Sequence, residues 1–246
     1  MKKQTTQFIG RIRQLGLAAL LTTGLATQAQ TLVGLNGEHA DVGLGYDATA
    51  NEWELHVHDE DNDMEYFPAT DARFFIGYSA NTTVPAGPAW SFLGTTGSEV
   101  WILPSSPSGN LLFLGFATEE MDPNAFVGNQ LSLALKGVSG PGTFAMFDLD
   151  FFGDPIVLMN SGDGITGADA ISLPVGTHQH FNLGFSAPGD YTITFEASGN
   201  SVLNGLTSSG NVDYLFRVQA VPEPTASALA GVGALAFWLV RRTKRN

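Results

Sequence analysis

Between residues 42 and 219 the chain reads as eleven short β-prone runs bounded by turn-forming residues, and this punctuation limits the fold more than any other feature. The runs are Val42–Tyr46, Glu52–His58, Arg73–Tyr78, Val100–Leu103, Leu111–Ala117, Gln130–Gly137, Thr143–Leu149, Ile156–Met159, His178–Ser186, Tyr191–Ser198 and Val212–Gln219. Many alternate apolar and polar residues with period two, the pattern of a strand with one buried face. Clusters such as Pro85-Ala86-Gly87-Pro88, Ser105–Asn110, Ser139–Gly142 and Ser161–Gly164 separate them. No stretch of residues 30–220 carries the long apolar stripe at helical spacing that an amphipathic helix needs. These features predict an all-β domain, an antiparallel β-sandwich or jelly-roll whose edge strands are covered. The alternating runs around Ala187-Pro188-Gly189-Asp190, spanning Phe181–Ala197, predict an Ig-like hairpin.

The two ends differ from this middle. Lys2, Lys3, Arg11 and Arg13 precede the apolar run Leu15–Leu25, and small residues follow around Thr27 and Ala29. That order predicts a helical secretory signal over residues 1–29, cleaved after Ala29. At the other end Val221-Pro222-Glu223-Pro224 leads into an uncharged run, Thr225–Val240, and then Arg241-Arg242-Thr243-Lys244-Arg245. Helical, that run is about 24 Å long, enough to cross a bilayer that thins locally or meets snorkelling arginines. The basic end stays cytoplasmic, so the domain before it lies outside. Residues 221–246 are therefore expected to hold a transmembrane helix, and residues 30–220 a single surface domain. This three-part ending resembles the PEP-CTERM sorting signal of Gram-negative bacteria that export polysaccharide. The resemblance implies that an exosortase-type membrane protease cuts at Pro222, Glu223 and Pro224. The inner membrane then holds the protein only transiently, before it reaches the cell surface or an extracellular matrix with exopolysaccharide or envelope components as partners. A plain C-terminal membrane anchor is the alternative.

Charge narrows the partners. The net charge is -13, and residues 31–220 hold 23 of the 24 carboxylates against three cations, Arg73, Lys136 and Arg217. Such a surface repels phosphate backbones and anionic lipid heads and attracts cations, so nucleic acid is not an expected partner. Without cysteine there are neither disulfides nor thiolate metal ligands.

Four of the five histidines form two His-x-His pairs, His56/His58 and His178/His180, where random placement gives about 0.1 such pairs. On a strand, residues two apart face the same way, close enough for both rings to reach one ion. Trp53, Leu55 and Val57 form one face of their run, leaving Glu54, His56 and His58 opposite. Phe181, Leu183 and Phe185 likewise leave His178, His180 and Asn182 opposite, and Ala40, Val42 and Leu44 leave His39 and Asp41. If the three segments approach each other, His39, His56, His58, His178 and His180 make a histidine-rich site with Asp41 and Glu119 as nearby carboxylates. Imidazole and carboxylate together suit Zn²⁺ or Mn²⁺. The competing reading is a set of solvated surface histidines on a structural or adhesive surface protein.

The middle of the chain resembles the choice-of-anchor M domain, a surface-anchored family. The matching segments are His39-Ala40-Asp41-Val42-Gly43-Leu44-Gly45-Tyr46, Trp53-Glu54-Leu55-His56-Val57-His58-Asp59-Glu60, Val100-Trp101-Ile102-Leu103-Pro104 and Leu114-Gly115-Phe116-Ala117-Thr118-Glu119-Glu120. They continue with Ser139-Gly140-Pro141-Gly142, Gly176-Thr177-His178-Gln179-His180 and Phe185-Ser186-Ala187-Pro188-Gly189. The resemblance implies surface display and is compatible with metal handling; Glu38 stands where the pattern has glycine.

Two further motifs carry weaker signals. Asp59, Asp61 and Asp63 have the alternate spacing of oxygen-ligand calcium loops but lack the glycine and distal glutamate of an EF-hand. Glu119 and Glu120, as neighbours on a strand end, are expected to face opposite ways, so that one of them reaches a site. No nucleophile elbow, phosphate loop or dinucleotide fingerprint is present. A cupin-like metal enzyme remains an alternative because cupins also use a His-x-His pair. Its glutamate spacing is not met here.

Overall fold

Period-two burial is clearest in Gly189–Ser201, where Tyr191, Ile193, Phe195 and Ala197 are at most 1% exposed and their neighbours are more open. A computed structural model describes residues 32–222. The expected signal helix and C-terminal membrane helix, with Glu223 and Pro224, lie outside the described residues. Among the described residues no helix is long and apolar enough to cross a membrane.

The protein is mostly strand. In chain order the strands are Val33–Leu35 (β1), His39–Asp47 (β2), Glu52–Asp59 (β3), Met64–Tyr66 (β4), Ala72–Ile76 (β5) and Asn81–Thr83 (β6). Glu99–Leu103 (β7), Phe113–Ala117 (β8), Gln130–Ser139 (β9), Phe144–Leu149 (β10), Pro155–Asn160 (β11) and Ala170–Pro174 (β12) follow. The last are His178–His180 (β13), Asn182–Phe185 (β14), Gly189–Ser201 (β15), Gly205–Ser208 (β16) and Val212–Val218 (β17). They form a seven-stranded sheet, β1-β5-β17-β15-β9-β12 with β16 beside β15, and two five-stranded sheets, β11-β10-β14-β7-β6 and β13-β8-β2-β3-β4.

One hydrophobic cluster is shared by all three sheets. Phe195 of the large sheet meets Phe116 of the β2-containing sheet and Phe144 of the third, at ring separations of 6.1 and 6.4 Å. On β2 the alternation is complete: Ala40, Val42 and Leu44 face this core, leaving His39, Asp41 and Gly43 on the opposite face.

Two expectations about pairing are corrected. The fold is not wholly antiparallel, because β1 with β5, β5 with β17, and β2 with β8 run parallel. Nor is Phe181–Ala197 a hairpin: β14 pairs with β10 and β7, whereas β15 pairs with β9, β16 and β17 in another sheet. Alternating flanks around a tight turn suit a corner between two sheets as well as a hairpin within one, provided both apolar faces reach the same core. Phe185 and Tyr191, on either side of the turn, do so with rings 5.1 Å apart. The expected run His178–Ser186 also divides at Phe181, and its histidine end joins β8.

Candidate metal centre

The outer face of the sheet β13-β8-β2-β3-β4 gathers the histidines. Asp41 on β2 stands beside His58 on β3 and Gly115 on β8, and Gly115 stands beside His180 on β13. In the next row Gly43 lies beside His56 and Ala117, and Ala117 beside His178. Glycine is required in both rows. A β-carbon on Gly43 would run into the ring of His56, and one on Gly115 into Asp41 Oδ1 and His178 Nε2. The imidazoles thus lie down over bare backbone, as a strand glycine permits.

The structure brings the five histidines together as two neighbouring groups rather than one. In the first, His39 Nε2 is 3.3 Å from His178 Nε2, His178 Nε2 is 2.9 Å from Asp41 Oδ1, and His39 Nε2 is 3.5 Å from Asp41 Oδ1. His180 completes it: a nitrogen from each of His39, His178 and His180 lies within 4.8 Å of the others. A tetrahedral ion with bonds of about 2.0–2.1 Å holds its ligands about 3.3 Å apart, so these separations fit one ion with modest closure. The second group is His56, His58 and Glu120, also within 4.8 Å. His56 Nε2 is 3.7 Å from Glu120 Oε2, and His58 Nδ1 is 3.2 Å from Glu60 Oε1. Glu60 belongs to both neighbourhoods, since it also groups with Asp41 and His178.

Outer contacts orient the rings. His180 Nδ1 is 2.9 Å from the Leu114 carbonyl, which can only accept, so Nδ1 carries the proton and Nε2 keeps its lone pair. Its ring stacks on Phe113 at 3.6 Å. His178 Nδ1 lies 3.5 Å from Glu119 Oε2, leaving Nε2 for the cluster. Backbone carbonyls and carboxylates behind histidines are the usual supports of metal ligands.

Asp41 is the electrostatic anomaly. It is 0% exposed, and beyond Glu60 neither oxygen has a hydrogen-bond partner of good geometry. Burial first, then a hydrogen bond shared with Glu60 and the charges of Glu60 and Glu119, push its pKa up to about 8, while the same hydrogen bond holds Glu60 below its ordinary value. Burial lowers His180 to about 4 and holds His39 below the ordinary imidazole value, so both rings are neutral near pH 7. Among the described residues no ammonium or guanidinium is at hand. Arg73, Lys136 and Arg217 lie on the seven-stranded sheet, paired with Asp190 and Glu196. Neutral imidazoles converging on a buried carboxylate that no cationic side chain neutralises form a donor set suited to a divalent cation.

Several expectations change. Glu119 and Glu120 are turn residues, not strand neighbours, and both reach histidines, Glu119 at His178 and Glu120 at His56. Asn182 leaves the histidine face with β14 and bonds the Ser105 N–H and the Phe147 carbonyl. The calcium candidates do not converge. Asp59 accepts from the backbone and side chain of Asn62, Asp61 accepts the His39 N–H, and Asp63 is fully exposed. Sequence reasoning missed Glu60, although His56, His58 and Glu60 continue one period-two series.

Beside the second group is a hollow of about 150 Å³ lined by His56, His58, Glu60, Glu119 and Glu120 over Gly43 and Ala117. A larger groove of about 600 Å³ on the seven-stranded sheet is lined by Gln130, Ser132, Ser172, Asn200 and Ser208 and contains no ionisable side chain. No protein-family model, no curated protein and no solved structure matches the chain. The likeness to the choice-of-anchor M family and to the PEP-CTERM signal accordingly rests on the residues quoted for it.

Proposed function

We propose that this is an exported, exosortase-sorted surface protein whose β domain, of sandwich or jelly-roll type, binds a transition metal as a binding module rather than an enzyme. The ligands are His39, His178, His180 and Asp41, with Glu119 supporting His178, and the donor set suits Zn²⁺ or Mn²⁺. The observation that carries the reading is Asp41, a carboxylate with no exposure lying 2.9 Å from His178 Nε2 and beside Glu60, with no lysine or arginine among the described residues near it. Export and sorting rest on the charge and hydropathy of the two ends, and the acidic surface suits a cation-rich matrix of exopolysaccharide or envelope components.

Metal analysis of the purified protein after exposure to Zn²⁺ or Mn²⁺ and gel filtration tests the binding. Retention by the wild type and a lower metal content in His39→Ala/His178→Ala is the expected result. A metal-free wild type, or a double variant that binds as well, removes the proposal. For sorting, mass spectrometry of the mature product is expected to find the chain ending near Pro222-Glu223-Pro224. An intact basic tail on the surface-displayed protein would contradict it.

A further inference from the structure

The first group accounts for His39, Asp41, His178 and His180 and leaves His56, His58, Glu60 and Glu120 unused. We infer that these residues form a second divalent-cation site, so that the sheet face holds two ions sharing the carboxylate of Glu60. The inference rests on the reading of the first group and extends it.

Three observations point to the second ion. His56 is 5% exposed, and its Nδ1 has no hydrogen-bond partner. Its Nε2 meets Glu120 at 3.7 Å, too long for a hydrogen bond and near the separation of two ligands on one ion. A buried imidazole with so little to hold it needs a further partner.

The second observation is the floor. Gly43 bears the His56 ring as Gly115 bears His178, so the same device is used twice, one row apart. The hollow over Gly43 is polar and bounded by His58, Glu60, Glu119 and Glu120. Glu60 reaches His58 at 3.2 Å on one side and groups with Asp41 and His178 on the other. A carboxylate so placed bridges two ions with its two oxygens.

Charge supplies the third. Asp41, Glu60, Glu119 and Glu120 crowd the face, and all three lysine and arginine residues among those described lie on another sheet. Two divalent cations balance four ionised carboxylates, whereas one leaves half of that charge uncompensated.

The test is the stoichiometry of Zn²⁺ binding to the full-length protein, by calorimetric titration and by metal analysis after gel filtration. The wild type is expected to hold two equivalents and His56→Ala/Glu120→Gln one. Gly43→Ala, which alters no ligand but drives a methyl into the His56 ring, is expected to fall to one as well, with circular dichroism checking that each variant folds. A wild type that saturates at one equivalent overturns the second site and leaves the first standing. Two equivalents retained by both variants also overturn it, by moving the second ion elsewhere. No binding at all removes both.

Discussion

Asp41 is the residue on which folding and the proposed metal binding pull in opposite directions. Its pKa of about 8 in the folded metal-free protein compares with about 3.9 in an unfolded chain, so between those values the native state holds the extra proton. Stability of the metal-free protein therefore falls as pH rises through this interval. His180, lowered to about 4, acts the other way between about 4 and 6.5, where the unfolded chain takes the proton and stability climbs with pH. The window from about pH 6.5 to 8 belongs to Asp41. In chelator-treated protein, thermal unfolding is expected to show Tm declining across that window, and Asp41→Asn is expected to abolish the decline while also lowering the amount of metal retained. A variant with the same slope as wild type would mean that Asp41 is not the titrating group. Gly115→Ala is the steric counterpart. Its methyl displaces Asp41 and His178 together, and metal affinity is expected to drop at least tenfold by titration.

At the level of elements, the site depends on how β13 is hung from β8. Thr118, fully buried just after β8, donates through Oγ1 to the Pro174 carbonyl at 2.7 Å and accepts the Thr177 N–H at 3.0 Å. Its backbone N–H donates to the Thr177 carbonyl, and its carbonyl accepts the Gly176 N–H. This clamp sets the start of β13, hence His178, and the turn that bears Glu119 and Glu120. Thr118→Val keeps the shape and removes the hydroxyl, leaving buried polar groups short of partners. It is expected to cost about 1–3 kcal/mol in denaturant unfolding and to weaken metal binding. Wild-type affinity in this variant would show that His178 is positioned by other means. The eleven expected runs fall on twelve of the seventeen strands, because period-two alternation and turn residues are local signals, whereas β1, β4, β6, β12 and β16, each of three to five residues, are too short to show a period. The strands' partners were not legible. The parallel joining of β2 to β8 links residues about seventy apart, and nothing in His178–Ser186 marks Phe181 as the crossing between sheets. The shared face of His56 and His58 was readable for the same local reason. The division of five histidines into two groups was not, since it depends on which strands flank β2. Gly43 and Gly115 were visible as strand glycines, but their role requires knowing which rings lie across them.

Across the whole molecule, charge is segregated by sheet. The seven-stranded sheet carries Arg73, Lys136 and Arg217, each within 4.0 Å of a carboxylate, and Arg217 makes two 2.6 Å bonds to Asp190. The histidine sheet has carboxylates and imidazoles alone, so its charge is balanced only from outside. Tyr214 of the large sheet, 0% exposed, places its hydroxyl 3.5 Å from the carbonyl of His56, and Phe116 between the histidine-bearing strands packs on Phe195. A ligand held by the histidine face, as proposed, therefore stabilises the common core and shifts the unfolding equilibrium of the entire domain. At free Zn²⁺ about a thousandfold above Kd the gain is about 4 kcal/mol, which for a domain of this size corresponds to a rise in Tm of roughly 8–16 °C. Calorimetric scans with Zn²⁺ and with excess chelator are expected to differ by that amount as single cooperative transitions. The same comparison in His39→Ala/His178→Ala should shrink to the part contributed by an ion on His56, His58 and Glu120. Identical scans with and without metal would show that the acidic face of this fold is stable without a cation.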